Sequence, residues 1–186
     1  DDFEGARAIT RHLIGLGHRD IAFIRGDPKH SPALRREEGF RAALAEARLT
    51  LDPSRVVQGM FTYRSGLDAG RHLLDVEPDA RPTAIFASND DMAAAVAAVA
   101  LGMGIKIPGE LSIAGFDDTP IASLMWPQLT TVHQPITEMA SRAVEIITDY
   151  LRRRRGAKEP TVTHHVAPFE LMLRDSTGPV RSATPA

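Results

Sequence analysis

The sequence predicts an α/β fold, a doubly wound parallel sheet with flanking helices. Two observations carry the prediction. Short, wholly apolar runs at 21–24, 84–87 and 113–116 have the character of strands buried on both faces. The segments between them carry apolar residues at helical spacing, so strand and helix alternate four times, as a parallel sheet covered by helices requires.

The elements follow in order. Phe3, Ala6, Ile9, Leu13 and Leu16 recur at helical spacing, with Asp1 or Asp2 as cap and Gly17 as the stop, so a helix is expected over 3–16. After the first strand (21–24) comes a polar loop, then a helix over 34–47 with Phe40, Ala43, Leu44 and Ala47 on one face. A weak strand at Val56 and Val57 leads to a helix over 65–75, with Ser65 as candidate cap. The strand at 84–87 leads to a helix over 90–101, and the strand at 113–116 closes the alternation. Residues 117–130 are expected as a long polar loop and 131–133 as extended chain. A long helix over 136–155 turns Met139, Ala143, Ile146, Ile147 and Tyr150 inward. Strands are expected at 162–166 and 170–174, and a disordered tail from Ser176 onward, its last part 178–186.

Composition narrows the function. The 186 residues are 43% hydrophobic, ample for a real core, and the formal net charge is -2. A self-sufficient nucleic-acid binder would show a basic face, so specific DNA binding by this chain alone is not expected. Cysteine is absent, which removes disulfides, thiolate metal sites and cysteine nucleophiles. The acidic opening Asp1-Asp2-Phe3-Glu4 is no signal peptide, and no apolar run is long enough for a membrane helix. No Walker loop or nucleophile elbow occurs, and Gly102-Met103-Gly104 follows a helix rather than a strand. His164 and His165, as neighbours in a strand, would face opposite ways, so neither a metal nor a cofactor is expected.

Ligands of open parallel sheets bind beyond the carboxyl ends of the strands. The first strand leads to His30 and Arg36, the second to Phe61, the third to Asn89 and Asp90, the fourth to Asp117 and Asp118. An arginine fork, an amide, a carboxylate and an aromatic plane suit a polyhydroxylated small molecule. Each residue also has an ordinary reading. Arg36 alone is a solvated charge, Asn89 or more readily Asp90 a helix cap, Asp117-Asp118 a turn, and Phe61 core. Their shared edge favours the site.

The helix over 90–101 raises a separate expectation. From Met92 to Leu101 it has no polar side chain, whereas a helix on a sheet keeps one polar face. Alanine's helix propensity is one explanation. The other is a homodimer seam, with Met92, Val96 and Val99 in or just behind it and Ala95 and Ala98 facing outward.

Six blocks of sequence carry a family resemblance. Leu16-Gly17-His18-Arg19-Asp20-Ile21-Ala22-Phe23-Ile24 resembles the LacI/GalR signature LGHRxIAFI, and Arg36-Glu37-Glu38-Gly39-Phe40 its RxxGF. Residues 82–93 resemble PTAIFAxNDxMA, 107–118 IPxDxSIxGFDD, 129–135 LTTVxQP, and 174–177 the closing RxST. The resemblance spans residues 1–177. It implies a periplasmic-binding-protein-like type I fold comprising the second lobe and part of the first. The lobe would occupy 1–132. The crossover and a helix of the first lobe would occupy 133–160, and return strands 161–177. The helix-turn-helix, hinge and remaining first lobe would lie upstream, and DNA would be bound only through that headpiece.

By position in these motifs, the resemblance assigns Arg36, Asn89, Asp117 and Phe61 to the effector, with His30 on a loop that varies with ligand. Loop 27–34 departs from any ligand class recognisable in the family, which leaves the effector open, with a sugar favoured over a purine. The implied protein is a cytoplasmic, homodimeric regulator without catalytic activity. The alternatives are a periplasmic sugar-binding protein, which would need a secretion signal, and an enzyme on a doubly wound sheet, which would need a nucleophile, cofactor loop or metal cluster.

Overall fold

The computed structural model describes residues 1–155 and 164–180. Four parallel strands form the main sheet: β1 (Ile21–Arg25), β2 (Val56–Gln58), β3 (Ala84–Ala87) and β4 (Ser112–Ala114), in the order β2-β1-β3-β4. Phe23 stands beside Val56 on one side and Phe86 on the other, and Phe86 beside Ala114. From β1 the chain goes first to one side and then to the other, so the order reverses between β1 and β3. That reversal is where an open α/β sheet leaves a crevice.

Period-two alternation within the strands feeds two cores. Ala22, Ile24, Ile85 and Ala87 face α3 (Tyr63–Leu74) and α4 (Asp90–Gly102). Ile21, Phe23, Ala84 and Phe86 face α1 (Asp2–Gly15) and α2 (Ser31–Glu46). Phe23 stacks on Phe40 with ring centroids 4.8 Å apart and meets Phe86 edge-tilted at 5.2 Å. Helices therefore cover both faces, as the buried runs predict.

Beyond β4 lies α5 (Pro120–Leu124), a short helix inside the stretch expected to be loop. β5 (Thr131–His133) runs beside the extension of β4, where the Gly115 and Asp117 amides donate to the Thr130 and Val132 carbonyls. β5 also pairs antiparallel with β6 (Glu170–Met172). Between them comes α6 (Ile136–Arg155), whose Met139, Ile147 and Tyr150 lie exposed on the described chain.

Four sequence expectations need correction. The strand expected at 162–166 is not one over its described part, 164–166, and residues 162–163 lie outside the described residues. The strand expected at 170–174 shrinks to β6.

The expected tail is anchored as far as Val180. Ser176 is fully buried, its hydroxyl donating to the Ile113 carbonyl and accepting from the Thr130 amide, and Val180 donates to Leu16. His18 holds the same segment, with Nε2 3.0 Å from the Gly178 carbonyl and Nδ1 3.0 Å from Thr83 Oγ1. Burial lowers the His18 pKa. Residues 181–186 lie outside the described residues.

The seam expected on α4 is the fourth correction. Met92, Ala95 and Val96 are fully buried within one chain, and Val99 is partly buried against the same core. The cover is α3. A Cβ at Gly66 would lie 2.6 Å from the Met92 Cα and 2.8 Å from the Ala95 Cβ, and one at Gly70 would lie 3.3 Å from the Val96 Cα. Two glycines one turn apart let α3 settle directly on the alanine face. The apolar outer face is covered by the chain's own helix, and from Met92 onward only Ala98, Leu101 and Gly102, toward the C-terminal end of α4, are exposed.

Candidate functional site

The five residues expected to meet the effector converge at the carboxyl edge of the sheet, over the reversal between β1 and β3. Arg36, on the second turn of α2, is the centre. Its side chain is only 6% exposed and forms ion pairs with Asp2 at 2.8 Å and Asp117 at 3.1 Å. It also donates to the Ser88 carbonyl at the end of β3. The guanidinium lies over the Phe116 ring, 3.8 Å from its centroid, and 5.8 Å from that of Phe61. The solvated reading of Arg36 therefore fails.

Asp117 sits in left-handed backbone at φ 107 and Asp118 at φ 55. This turn follows directly on β4's extension and throws the Asp117 carboxylate back toward Arg36. Burial pushes the Asp117 carboxyl above its ordinary value, opposed by the charge of Arg36 and by the hydrogen bond from Gln134 Nε2 at 2.7 Å. Asp118 turns the other way, to Arg174 Nη2 at 2.7 Å and His133 Nδ1 at 3.0 Å, and so ties the turn to the C-terminal segment and β5.

Phe61, also left-handed at φ 58, precedes the Thr62 cap of α3. Its ring lies over Gly26 at the end of β1, where a Cβ would collide with it. His30 is exposed and stacks loosely on Phe61, with centroids 6.1 Å apart. Asn89 caps α4, its Oδ1 accepting from the Met92 amide, and its Nδ2 donates to the Phe61 carbonyl at 3.0 Å. The cap thus falls to Asn89 rather than Asp90, and leaves one N–H and one lone pair for other work.

The sequence reading passed over several partners. Asp2 is a candidate cap by sequence, but Asp1 takes that role through the Glu4 amide and frees Asp2 for Arg36. Phe116 was read only as strand, and Gln134 only as part of a motif. Asp90 is buried beneath the turn, bonded to Thr119 and Thr131. Beside Asp117 opens a cleft of about 410 Å³, lined by Thr119, His133, Gln134, Pro135 and Ile136 among others. Among the described residues there is no group of three or more His, Asp or Glu placed to hold a metal, and no helix long and apolar enough to cross a membrane.

The arrangement is a half-open polar edge: one buried cation shared by two carboxylates, an amide and a half-buried aromatic plane. It can bind and orient a small polar molecule, with the fork and carboxylate taking hydroxyls and the ring taking an apolar face.

Comparison with known proteins agrees with this architecture. Residues 10–177 match the family described as periplasmic binding protein-like domain. The HTH-type transcriptional regulator DegA of Bacillus subtilis (strain 168) is 41% identical over 182 residues, covering 98% of this chain and 52% of DegA. The HTH-type transcriptional repressor PurR of Haemophilus influenzae (strain PittEE) is 34% identical over 174 residues, covering 94% of this chain and 51% of PurR. Among solved structures, a complex of the transcriptional regulator CelR with cellobiose superposes with a TM-score of 0.86 at 35% identity, covering 95% of this chain and 52% of that one.

The chain belongs to the periplasmic binding protein-like family, as an effector-binding domain of the LacI/GalR type. It spans about half the length of the curated relatives it matches.

Proposed function

We propose that this chain is the sensing part of a DNA-binding transcription regulator, and that its strand-end site takes a small polyhydroxylated effector, a sugar. The observation that carries the reading is the Arg36–Asp117 pair, buried yet facing an open edge beside the half-buried Phe61. A purely structural ion pair would not need an aromatic plane and an amide at the same crevice. The cellobiose held by CelR supports a sugar for this chain too. Arg36, Asn89 and Asp117 would share the hydroxyls, Phe61 would cover the ring, and His30 would tune the choice of ligand.

In this reading residues 1–132 form the second lobe, and 133–160 cross into the first lobe, supplied by a preceding segment. Residues 161–177 return. The exposed apolar stripe of α6 is what that first lobe would cover. DNA is contacted by a headpiece outside this chain, the protein works in the cytoplasm as a homodimer, and it catalyses no reaction. The pairing surface is assigned not to Met92, Ala95 or Val96 but to the apolar side chains at the end of α5 and just after it. Leu124 is 82% exposed and Trp126 78%.

The test is calorimetric titration of the intact protein with a panel of mono- and disaccharides and with purine bases. One sugar class should bind, and Asp117→Asn should weaken it about tenfold or more, as loss of a charge-assisted hydrogen bond worth roughly 1.5–3 kcal/mol implies. Binding that is indifferent to Asp117, or confined to purines, would reject the reading.

A further inference from the structure

Asp90 has no exposed surface and, among the described residues, no cation paired with it, yet three donors converge on it. Thr131 Oγ1 donates to Oδ1 at 2.5 Å, and the Thr119 amide and hydroxyl donate to Oδ2 at 2.7 and 3.2 Å. Its own amide donates to the Phe116 carbonyl at 2.9 Å. One residue thus joins the start of α4, the far side of the Asp117-Asp118 turn and β5. Gly115 has no room for a Cβ against Oδ1, so β4 closes over the carboxylate. The turn it grips holds two non-glycine residues in left-handed backbone, a conformation that persists only when the surroundings enforce it.

We propose that Asp90 is a positioning residue. Its carboxylate, clamped between Thr119 and Thr131, holds the Asp117-Asp118 turn in shape and fastens it to β5, the strand leading to α6. The latch makes the geometry at Asp117 responsive to acid. Burial pushes the Asp90 pKa up to about 6, and the three hydrogen bonds oppose the rise. The charged group that faces it is Asp117, from the turn after β4, which raises it further. Behind Asp117 stand Arg36 of α2 and Asp2 of α1. From β5 only the Thr131 hydroxyl reaches it, since His133 turns to Asp118. Its neighbour Asp91 on α4 is exposed. A protonated Asp90 cannot accept on all sides. The Thr119 amide can only donate, so a hydroxyl bond, to Thr131 at Oδ1 or to Thr119 at Oδ2, must reverse or open.

The consequence for effector binding rests on the function proposed above. The latch does not, and its test uses no effector. Backbone amide shifts of the full chain are followed from pH 4.5 to 8. In the wild type the Thr119 and Thr131 amides should titrate together with a midpoint near pH 6, carrying the amides of Asp117 and Asp118 with them. Asp90→Asn should abolish that titration at all four positions. Thr131→Val, which removes one bond to the ionised form, should raise the midpoint by about one unit or more. If Asp90→Asn fails to fold, the Thr131→Val midpoint decides. Persistence of the titration in Asp90→Asn, an unmoved midpoint in Thr131→Val, or a Thr119 amide that does not titrate in the wild type would overturn the proposal.

Discussion

Replacing Arg36 with Ala should be among the most damaging single changes at the site, and its cost should depend on pH. The guanidinium is buried against Phe116, pairs with two carboxylates and satisfies the Ser88 carbonyl. Removing one partner of a buried ion pair leaves the other charge uncompensated, at about 3–5 kcal/mol. Here the stranded groups are Asp117 and Asp2, whose side chains are 27% and 26% exposed. Burial already raises the Asp117 pKa and Arg36 restrains it, so in the variant that pKa climbs further. A stranded carboxylate that accepts a proton ceases to be a buried charge.

Urea unfolding of the full chain at pH 7.5 and at pH 5 should therefore show a loss of about 3–5 kcal/mol at the higher pH. At pH 5 the loss should be smaller by about 1 kcal/mol or more, one unit of pKa being worth about 1.4 kcal/mol. Arg36→Lys keeps the charge but loses the fork and the stacking, and should fall between wild type and Arg36→Ala. A loss below about 1 kcal/mol, typical of surface substitutions, would refute the reasoning, as would an equal loss at both pH values.

Three further outcomes are expected. Ala95→Glu should unfold or severely destabilise the chain rather than split a dimer, because Ala95 faces Gly66 inside one molecule; a folded variant by circular dichroism at 25 °C would contradict the packing. Trp126→Glu should leave the fold intact and turn a dimeric intact protein into a monomer in sedimentation, and an unchanged dimer would remove Trp126 from the pairing surface. His18, its pKa lowered by burial, stays neutral in the fold at a pH where the unfolded chain already takes a proton. Its contribution is therefore full above the unfolded value of about 6.5 and is lost as pH falls below it. His18→Asn should show a shallower decline in stability below that pH, and identical slopes would contradict the assignment.

The strands were legible because buried parallel strands are apolar on both faces, and 21–24 and 84–87 have no other ready interpretation. The site was legible because the strand-end rule needs only strand positions. Arg36, Phe61, Asn89 and Asp117 all lie within a few residues of a strand end or the helix after it. What escaped depends on contacts far apart in sequence. The alanine face of α4 reads as exposed until Gly66 and Gly70 are set against it, 26 residues before Met92 and Val96 in each case. Those glycines sit four apart on one helix, a signal that was present but needed the α3–α4 pairing to interpret. The anchoring of Ser176 and Val180 rests on partners at Ile113, Thr130 and Leu16, which no local pattern reveals. Asp90 is the readier cap by sequence, and only its buried bonds to Thr131 and Thr119 leave the cap to Asn89.

The measurement that bears most directly on the central claim is chemical-shift mapping of the chain titrated with a sugar panel that includes cellobiose. The account predicts that a binding sugar perturbs the resonances of Arg36, Phe61, Asn89 and Asp117 together, with His30 at the margin, and leaves the far edge of the sheet around Arg19 and Asp52 unmoved. Perturbations clustered at that far edge, or a binding sugar that leaves the Arg36–Asp117 pair untouched, would contradict it.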